Sequence, residues 1–133
     1  MELLQEKTGI LYGIGVGPGE PELLTYQAVA TIESCQTILF PSEPIEDCYA
    51  YQITKKLVPN LSSHPFLALP LPMTKDEELL KKAQDEGFEK IEKLLTEGQD
   101  VAFLTIGDPA VYSTFLYLQS RAKERGYQTK MVS

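Results

Sequence analysis

Two stretches of this sequence place glycine, proline and acid where chemistry could be done. The first, Gly13-Ile14-Gly15-Val16-Gly17-Pro18-Gly19-Glu20-Pro21, alternates glycine with other residues, so a ligand can approach the main chain with no Cβ in the way. The second, Thr105-Ile106-Gly107-Asp108-Pro109-Ala110-Val111-Tyr112-Ser113-Thr114, sets a glycine beside an acid that can accept hydrogen bonds or cap the following helix. Taken singly, each loop also fits an ordinary connection. Glycines tighten a strand-to-helix turn, and Asp-Pro is common at helix starts.

The familiar nucleotide motifs are not met. Counting G-x-G-x-x-G from Gly13 puts Pro18 at the last glycine, and counting from Gly15 puts Glu20 there. The second predicted strand ends at Pro41 rather than at an acid that would hold a ribose. No Gly-Lys dipeptide occurs, so a phosphate-cradling G-x-x-x-x-G-K-[ST] is absent. The single histidine, His64, stands before Pro65 and is read as structural or exposed. No Ser/His/Asp or metal-ligand spacing is evident, so neither a catalytic side chain nor a bound metal is expected.

The elements that must position the loops alternate in type. Ile10 to Gly15 reads as a buried strand running into the first loop, followed by a helix from Tyr26 to Ser34 with Thr25 as N-cap. Thr37–Phe40 is a second strand, Cys48–Val58 a second helix, and Phe66–Leu71 a third strand whose Pro70 suits a sheet edge. Lys75–Glu97 is the clearest helix. Leu80, Ala83, Gly87, Ile91, Leu94 and Leu95 form its apolar stripe, with Glu77/Lys81, Glu78/Lys82, Glu86/Lys90 and Glu89/Lys93 as i,i+4 pairs on a solvated face. After Gly98 come a buried strand, Val101–Ile106, a helix from Val111 to Arg125, and a last strand from Tyr127 to Val132. The expected fold is α/β: an open, mainly parallel sheet of about five strands flanked by about four helices. Such sheets bind ligands at the carboxyl ends of their strands, where both loops would lie. The chain stops at Ser133 directly after a predicted strand, and residues 1–133 are therefore read as one domain cut from a longer protein.

Composition narrows the partners. With 43% hydrophobic and 23% charged residues, the chain can build a core and does not read as disordered. A net charge of -7 disfavours nucleic acid, and no basic run or apolar stretch suits a membrane. The acidic N-terminus does not resemble a signal peptide, and two cysteines, Cys35 and Cys48, read as small core hydrophobes in a reducing, cytoplasmic setting.

Together the two loops are far more specific than either alone. Gly15-Val16-Gly17-Pro18-Gly19-Glu20-Pro21-Glu22-Leu23-Leu24-Thr25 matches at every position the pattern G-x-G-P-G-x-P-x-x-L-T of the tetrapyrrole (corrin and porphyrin) methylases, which this sequence resembles. The second family motif, an apolar strand followed by G-D-P and a helix, is met by Val101 to Pro109. The resemblance spans essentially the whole chain but only the family's N-terminal domain; the C-terminal domain, which completes the cofactor site, is absent. Phe40-Pro41-Ser42, Leu71-Pro72-Met73-Thr74 and Gly107 to Thr114 resemble, within the family, the precorrin-2 or cobalt-factor II C20-methyltransferases.

The resemblance implies S-adenosyl-L-methionine as methyl donor, contacted by Pro18, Ile106, Gly107, Asp108 and Val111. It implies a reduced tetrapyrrole as the small-molecule substrate, entering past Gly15, Gly17 and Gly19, and a homodimer in the full-length form. Methyl transfer from a sulfonium is an in-line displacement from an activated donor, so neither a covalent nucleophile nor a metal is required. The substrate's carboxylates need positive charge, for which Lys55 and Lys56 or groups on the absent domain are candidates. Other readings are a family methyltransferase for a different corrin position, a diphthamide or ribosomal-RNA methylase, or a non-catalytic binding module.

Overall fold

The computed structural model describes residues 8–15, 24–41, 44–70, 72, 74–106 and 109–132. The predicted alternation is present: β1 Ile10–Ile14, α1 Tyr26–Ser34, β2 Thr37–Phe40, α2 Tyr49–Leu57, β3 Phe66–Ala68, α3 Glu77–Thr96, β4 Val101–Leu104, α4 Pro109–Glu124 and β5 Gln128–Val132. The strands form one sheet in the order β3-β2-β4-β1-β5, and every pairing is parallel.

Burial follows this order. All four residues of β2 and all four of β4 are buried, as strands covered on both faces must be, while β3 and β5 lie at the edges. Alternate side chains serve two cores. Ile14, Ile38, Phe40, Ala102 and Leu104 pack with Ala28 and Ile32 of α1 and Ala50 of α2. Leu11, Leu39, Val101 and Phe103 pack on the other face with Phe88, Ile91 and Leu95 of α3 and Phe115, Leu118 and Ala122 of α4. Phe88 belongs to the buried face of α3, whereas Leu80, Ala83 and Leu94 of the expected stripe are only half-buried.

Local signals set the boundaries. The Thr25 hydroxyl accepts the Ala28 N–H at 3.0 Å and caps α1, and Asp76 caps α3 by accepting from Glu78 and Leu79. Helices α3 and α4 both end in Schellman motifs. Gly98 at φ 85° donates to Leu95 while Gln99 donates to Leu94, and Gly126 at φ 89° donates to Lys123 while Tyr127 donates to Ala122.

Three expectations require correction. Strand β3 ends at Ala68 rather than Leu71: Leu69 makes a last bond to the Phe40 carbonyl at 2.8 Å, and Pro70 has no N–H with which to continue. Cys48 is a cap rather than a helical residue, and a 3-10 turn at Ile45–Asp47 precedes α2. The ion pairs among the described residues do not run along α3. Asp85 pairs with Arg121 and Glu92 with Arg125, so both join α3 to α4.

Gly13 has a packing role within β1 rather than a ligand-facing one. A Cβ there would lie 2.5 Å from the Phe115 ring and 2.6 Å from Met131 Sδ, so the missing side chain is what lets α4 settle onto the sheet. Gly13→Ala is expected to cost about 1–3 kcal/mol, the usual range for overpacking. Thermal unfolding measures it, and adding Phe115→Leu should recover part of the loss. An unchanged midpoint in the single variant would contradict the packing.

Candidate functional site

With all strands parallel, every helix begins at the carboxyl end of the sheet. Strand β1 hands its chain to α1 on one face, and β4 hands its chain to α4 on the other. The two strands are neighbours, and the helices they lead to lie on opposite faces of the sheet. This is the topological switch point at which open α/β sheets bind ligands. The two motif loops leave the sheet from these two strands and no others.

The join between them is tight. Leu104 stands opposite Ile14 in the β1–β4 register. One residue further, Thr105 reaches the Ile14 carbonyl twice, through its N–H at 2.9 Å and its buried hydroxyl at 3.0 Å. On the other side of β1, the Gly15 N–H donates to Val132 of β5 at 2.9 Å. Thr105, within the strand expected from Val101 to Ile106, lies one residue beyond the observed β4; a hydroxyl interrupting an apolar run is the signal that marks it.

Of the residues the family pattern singled out, Gly15, Ile106 and Val111 are placed, while Gly17, Pro18, Gly19, Gly107 and Asp108 lie outside the described residues. Gly15 is at the carboxyl end of β1 with its N–H committed to β5. Ile106 is 3% exposed and belongs to the α1/α2 core, whereas Val111 is 7% exposed and belongs to the α3/α4 core. The two side chains thus serve opposite faces of the sheet at its carboxyl end. Both side chains are committed to packing, so what they can offer a ligand is mainly the adjoining backbone. Tyr112, half-exposed in the first turn of α4, lies at the same end.

Charge is distributed along the strand axis. Lys55 and Lys56, proposed above to steer a polyanion, occupy the last turn of α2 and so lie at the amino end of the sheet, away from the crevice. Among the described residues, Lys75, exposed just before the α3 cap, is the cation nearest the carboxyl end, accompanied by Asp76, Glu77 and Glu78. Acids in first turns and bases in last turns complement the helix dipoles. Among the described residues no group of three or more His, Cys, Asp or Glu could hold a metal, and no helix is long and apolar enough to cross a membrane.

Cys35 and Tyr12 both feel a carboxylate at the amino end of the sheet. Asp100 accepts the Ile10 N–H at 2.8 Å, and its own N–H donates to the Gln36 side chain at 2.6 Å. Burial, reinforced by the Asp100 carboxylate, pushes the Cys35 thiol up to about 12, and the same two causes raise Tyr12. His64 donates from Nδ1 to the Cys35 carbonyl at 2.8 Å, tying the approaches to β2 and β3 together, so it is structural.

This architecture defines a parallel α/β domain whose two motif-bearing strands are neighbours at the switch point. A family profile for Tetrapyrrole (Corrin/Porphyrin) Methylases matches residues 10–133, and the chain belongs to that family. It is 39% identical over 124 residues to a probable cobalt-precorrin-2 C(20)-methyltransferase of Methanocaldococcus jannaschii, covering 92% of this chain and 51% of the relative. It is 28% identical to a precorrin-2 C(20)-methyltransferase of a Sinorhizobium species, covering 88% of this chain and 50% of that one. The crystal structure of a uroporphyrin-III C-methyltransferase from Thermus thermophilus superposes with a TM-score of 0.59 at 21% identity, over 93% of this chain and 46% of that one. The chain thus spans about half the length of these relatives.

A thiol whose folded pKa is raised adds stability that is complete below its ordinary value near 9.0 and is lost as pH climbs toward about 12. Urea unfolding from about pH 8 to about pH 11 should therefore fall more steeply for the wild type than for Cys35→Ala. Parallel pH dependences would contradict the buried, neutral thiol. In the crevice itself, Thr105→Val should cost about 1 kcal/mol by removing one buried hydrogen bond, read as a shift in the same unfolding curve at neutral pH.

Proposed function

We propose that the protein to which this domain belongs is an S-adenosyl-L-methionine-dependent C-methyltransferase of cobalamin biosynthesis. Its substrate on this reading is a reduced tetrapyrrole, precorrin-2 or cobalt-factor II, methylated at C-20. The observation that carries the reading is the convergence of the two family motifs. Gly15 to Thr25 leaves the sheet from β1 and Gly107 to Pro109 from β4, side by side at the switch point. The similarity to relatives named for C-20 methylation of precorrin-2 and cobalt-precorrin-2 supports the choice of substrate.

S-adenosyl-L-methionine supplies an electrophilic methyl group on a sulfonium. The protein's task is then geometric: to hold donor and acceptor carbon in line, at near-attack distance and away from water. Such positioning contributes on the order of 7–11 kcal/mol. The crevice suits this role. Ile106 packs into one core and Val111 into the other, so residues on either side of the Gly-Asp motif are seated on opposite faces of the sheet. In this reading Gly107 permits close approach, Asp108 accepts from polar groups of the donor, and Pro18 contacts it from the first loop. Gly15, Gly17 and Gly19 border the entry of the macrocycle. The acidic carboxyl end, with Lys75 among Asp76, Glu77 and Glu78, leaves most recognition of the substrate carboxylates to groups beyond this domain.

Incubating the full-length protein with methyl-labelled S-adenosyl-L-methionine and either precorrin-2 or uroporphyrinogen III tests the assignment. Label should enter precorrin-2 at C-20, with little entering uroporphyrinogen III; the reverse preference would overturn the substrate. Gly107→Val should weaken S-adenosylhomocysteine by at least about tenfold, equivalent to about 1.4 kcal/mol, in a calorimetric titration. Unchanged affinity would remove Gly107 from the site.

A further inference from the structure

The large apolar side chains that remain exposed among the described residues are not scattered. Tyr26, Tyr49, Leu79 and Tyr112 stand in the first turns of α1, α2, α3 and α4, and Met131 lies opposite Gly13 near the end of β5. Because the sheet is parallel, all of these gather toward its carboxyl end, and Leu116 follows one turn further along α4.

The tyrosines divide by employment. Tyr117 and Tyr127 are half-buried and donate their hydroxyls to Asp85 and Glu92, while the Tyr51 ring packs edge-on against Phe40 and Phe66. These side chains are spent on the fold. Tyr26 is 90% exposed and Tyr49 and Tyr112 are each 43% exposed, and none of the three hydroxyls has a partner among the described residues. A phenol turned to solvent offers an apolar ring and a neutral O–H donor together. In a domain of net charge -7 the neutral donor matters. It can make a charge-assisted hydrogen bond to a carboxylate where no cation is at hand.

Their neighbours separate the three. Tyr49 follows directly on the 3-10 turn that carries exposed Glu46 and Asp47, and Leu79 shares its turn with Glu77 and Glu78. Acids so placed repel an anionic ligand. The first turns of α1 and α4 hold no acid, and these helices follow β1 and β4, which are neighbours in the sheet.

We propose that Tyr26 and Tyr112 are substrate-binding residues, their phenol O–H groups donating to carboxylates at the rim of the macrocycle while their rings border its apolar face. The proposal rests on the reading of the substrate as a reduced tetrapyrrole. It gives this acidic domain a share of carboxylate recognition that needs no lysine, and Tyr49 takes no part in it.

The test is steady-state methyl transfer by the full-length protein with precorrin-2 as the varied substrate, accompanied by calorimetric titration with S-adenosylhomocysteine and by thermal unfolding. Tyr26→Phe and Tyr112→Phe remove only the hydroxyl, and each should raise KM for precorrin-2 by about fivefold, as loss of one hydrogen bond does. In both, kcat and S-adenosylhomocysteine affinity should stay within about twofold of the wild type, and the unfolding midpoint should not move. Tyr49→Phe, as exposed as Tyr112 but beside Glu46 and Asp47, should leave KM within about twofold. An unchanged KM in either of the first two variants overturns the proposal for that residue, and an equal rise in Tyr49→Phe overturns it for both. A raised KM accompanied by weaker S-adenosylhomocysteine binding, or by a lower unfolding midpoint, also overturns it, since the phenol then serves the cofactor or a covered interface. A wild-type protein that does not methylate precorrin-2 overturns the substrate reading itself, an outcome seen before any variant is made.

Discussion

The arrangement depends on one carbonyl. Ile14, the last residue of β1, accepts both the N–H and the hydroxyl of Thr105, the first residue beyond β4, although 91 positions separate them. Parallel neighbours this distant cannot be brought together by a hairpin, so the chain completes β2 and β3 before β4 returns between β2 and β1. The double bond closes the ladder where the two strands hand over to loops on opposite faces. Backbone pairing alone would align the strands. The added hydroxyl bond, buried at the carboxyl end, fixes the distance between the ends of the two strands.

Stability and recognition are divided along the strand axis. At the amino end, Asp100 accepts the Ile10 N–H through its side chain and the Gln36 and Thr37 amides through its carbonyl, so one residue binds the starts of β1, β2 and β4. The Thr37 hydroxyl donates to Gln99 beside it, and His64 bonds to the Cys35 carbonyl. Polar groups are spent there on holding strands together, and the raised Cys35 and Tyr12 mark how dry and acidic the surroundings are. At the carboxyl end, β1 and β4 finish in glycine-rich and Gly-Asp-Pro sequences, and helix starts gather there with their partial positive charge.

Much of this was legible in the sequence because the signals were local. Strand β4 is an unbroken apolar run, α1 begins after a threonine that caps it, and Gly98 and Gly126 stand where left-handed residues end helices. The family pattern located both loops because its spacing of glycine and proline is unusual. What could not be read required knowledge of neighbours. The i,i+4 charges of α3 looked self-sufficient, yet Asp85 and Glu92 turn to arginines of α4 whose approach no helical period reveals. Gly13 looked like part of the ligand loop until Phe115, a residue distant in sequence, proved to occupy its space. Lys55 and Lys56 were candidates for steering by charge alone, and only the direction of α2 removes them. Gln84 is polar at a position where periodicity allows burial, and its partner Thr114 belongs to another helix.

The account's central claim is that a cofactor sits across the carboxyl ends of β1 and β4. Hydrogen–deuterium exchange of the full-length protein, with and without S-adenosylhomocysteine, addresses it directly. The account predicts ligand-dependent protection concentrated in two peptides, one covering residues 10–25 and the other residues 101–115, with exchange at Asp100, Gln36 and the end of α2 unchanged. Protection confined to the amino end of the sheet, or to only one of the two loops, would contradict it.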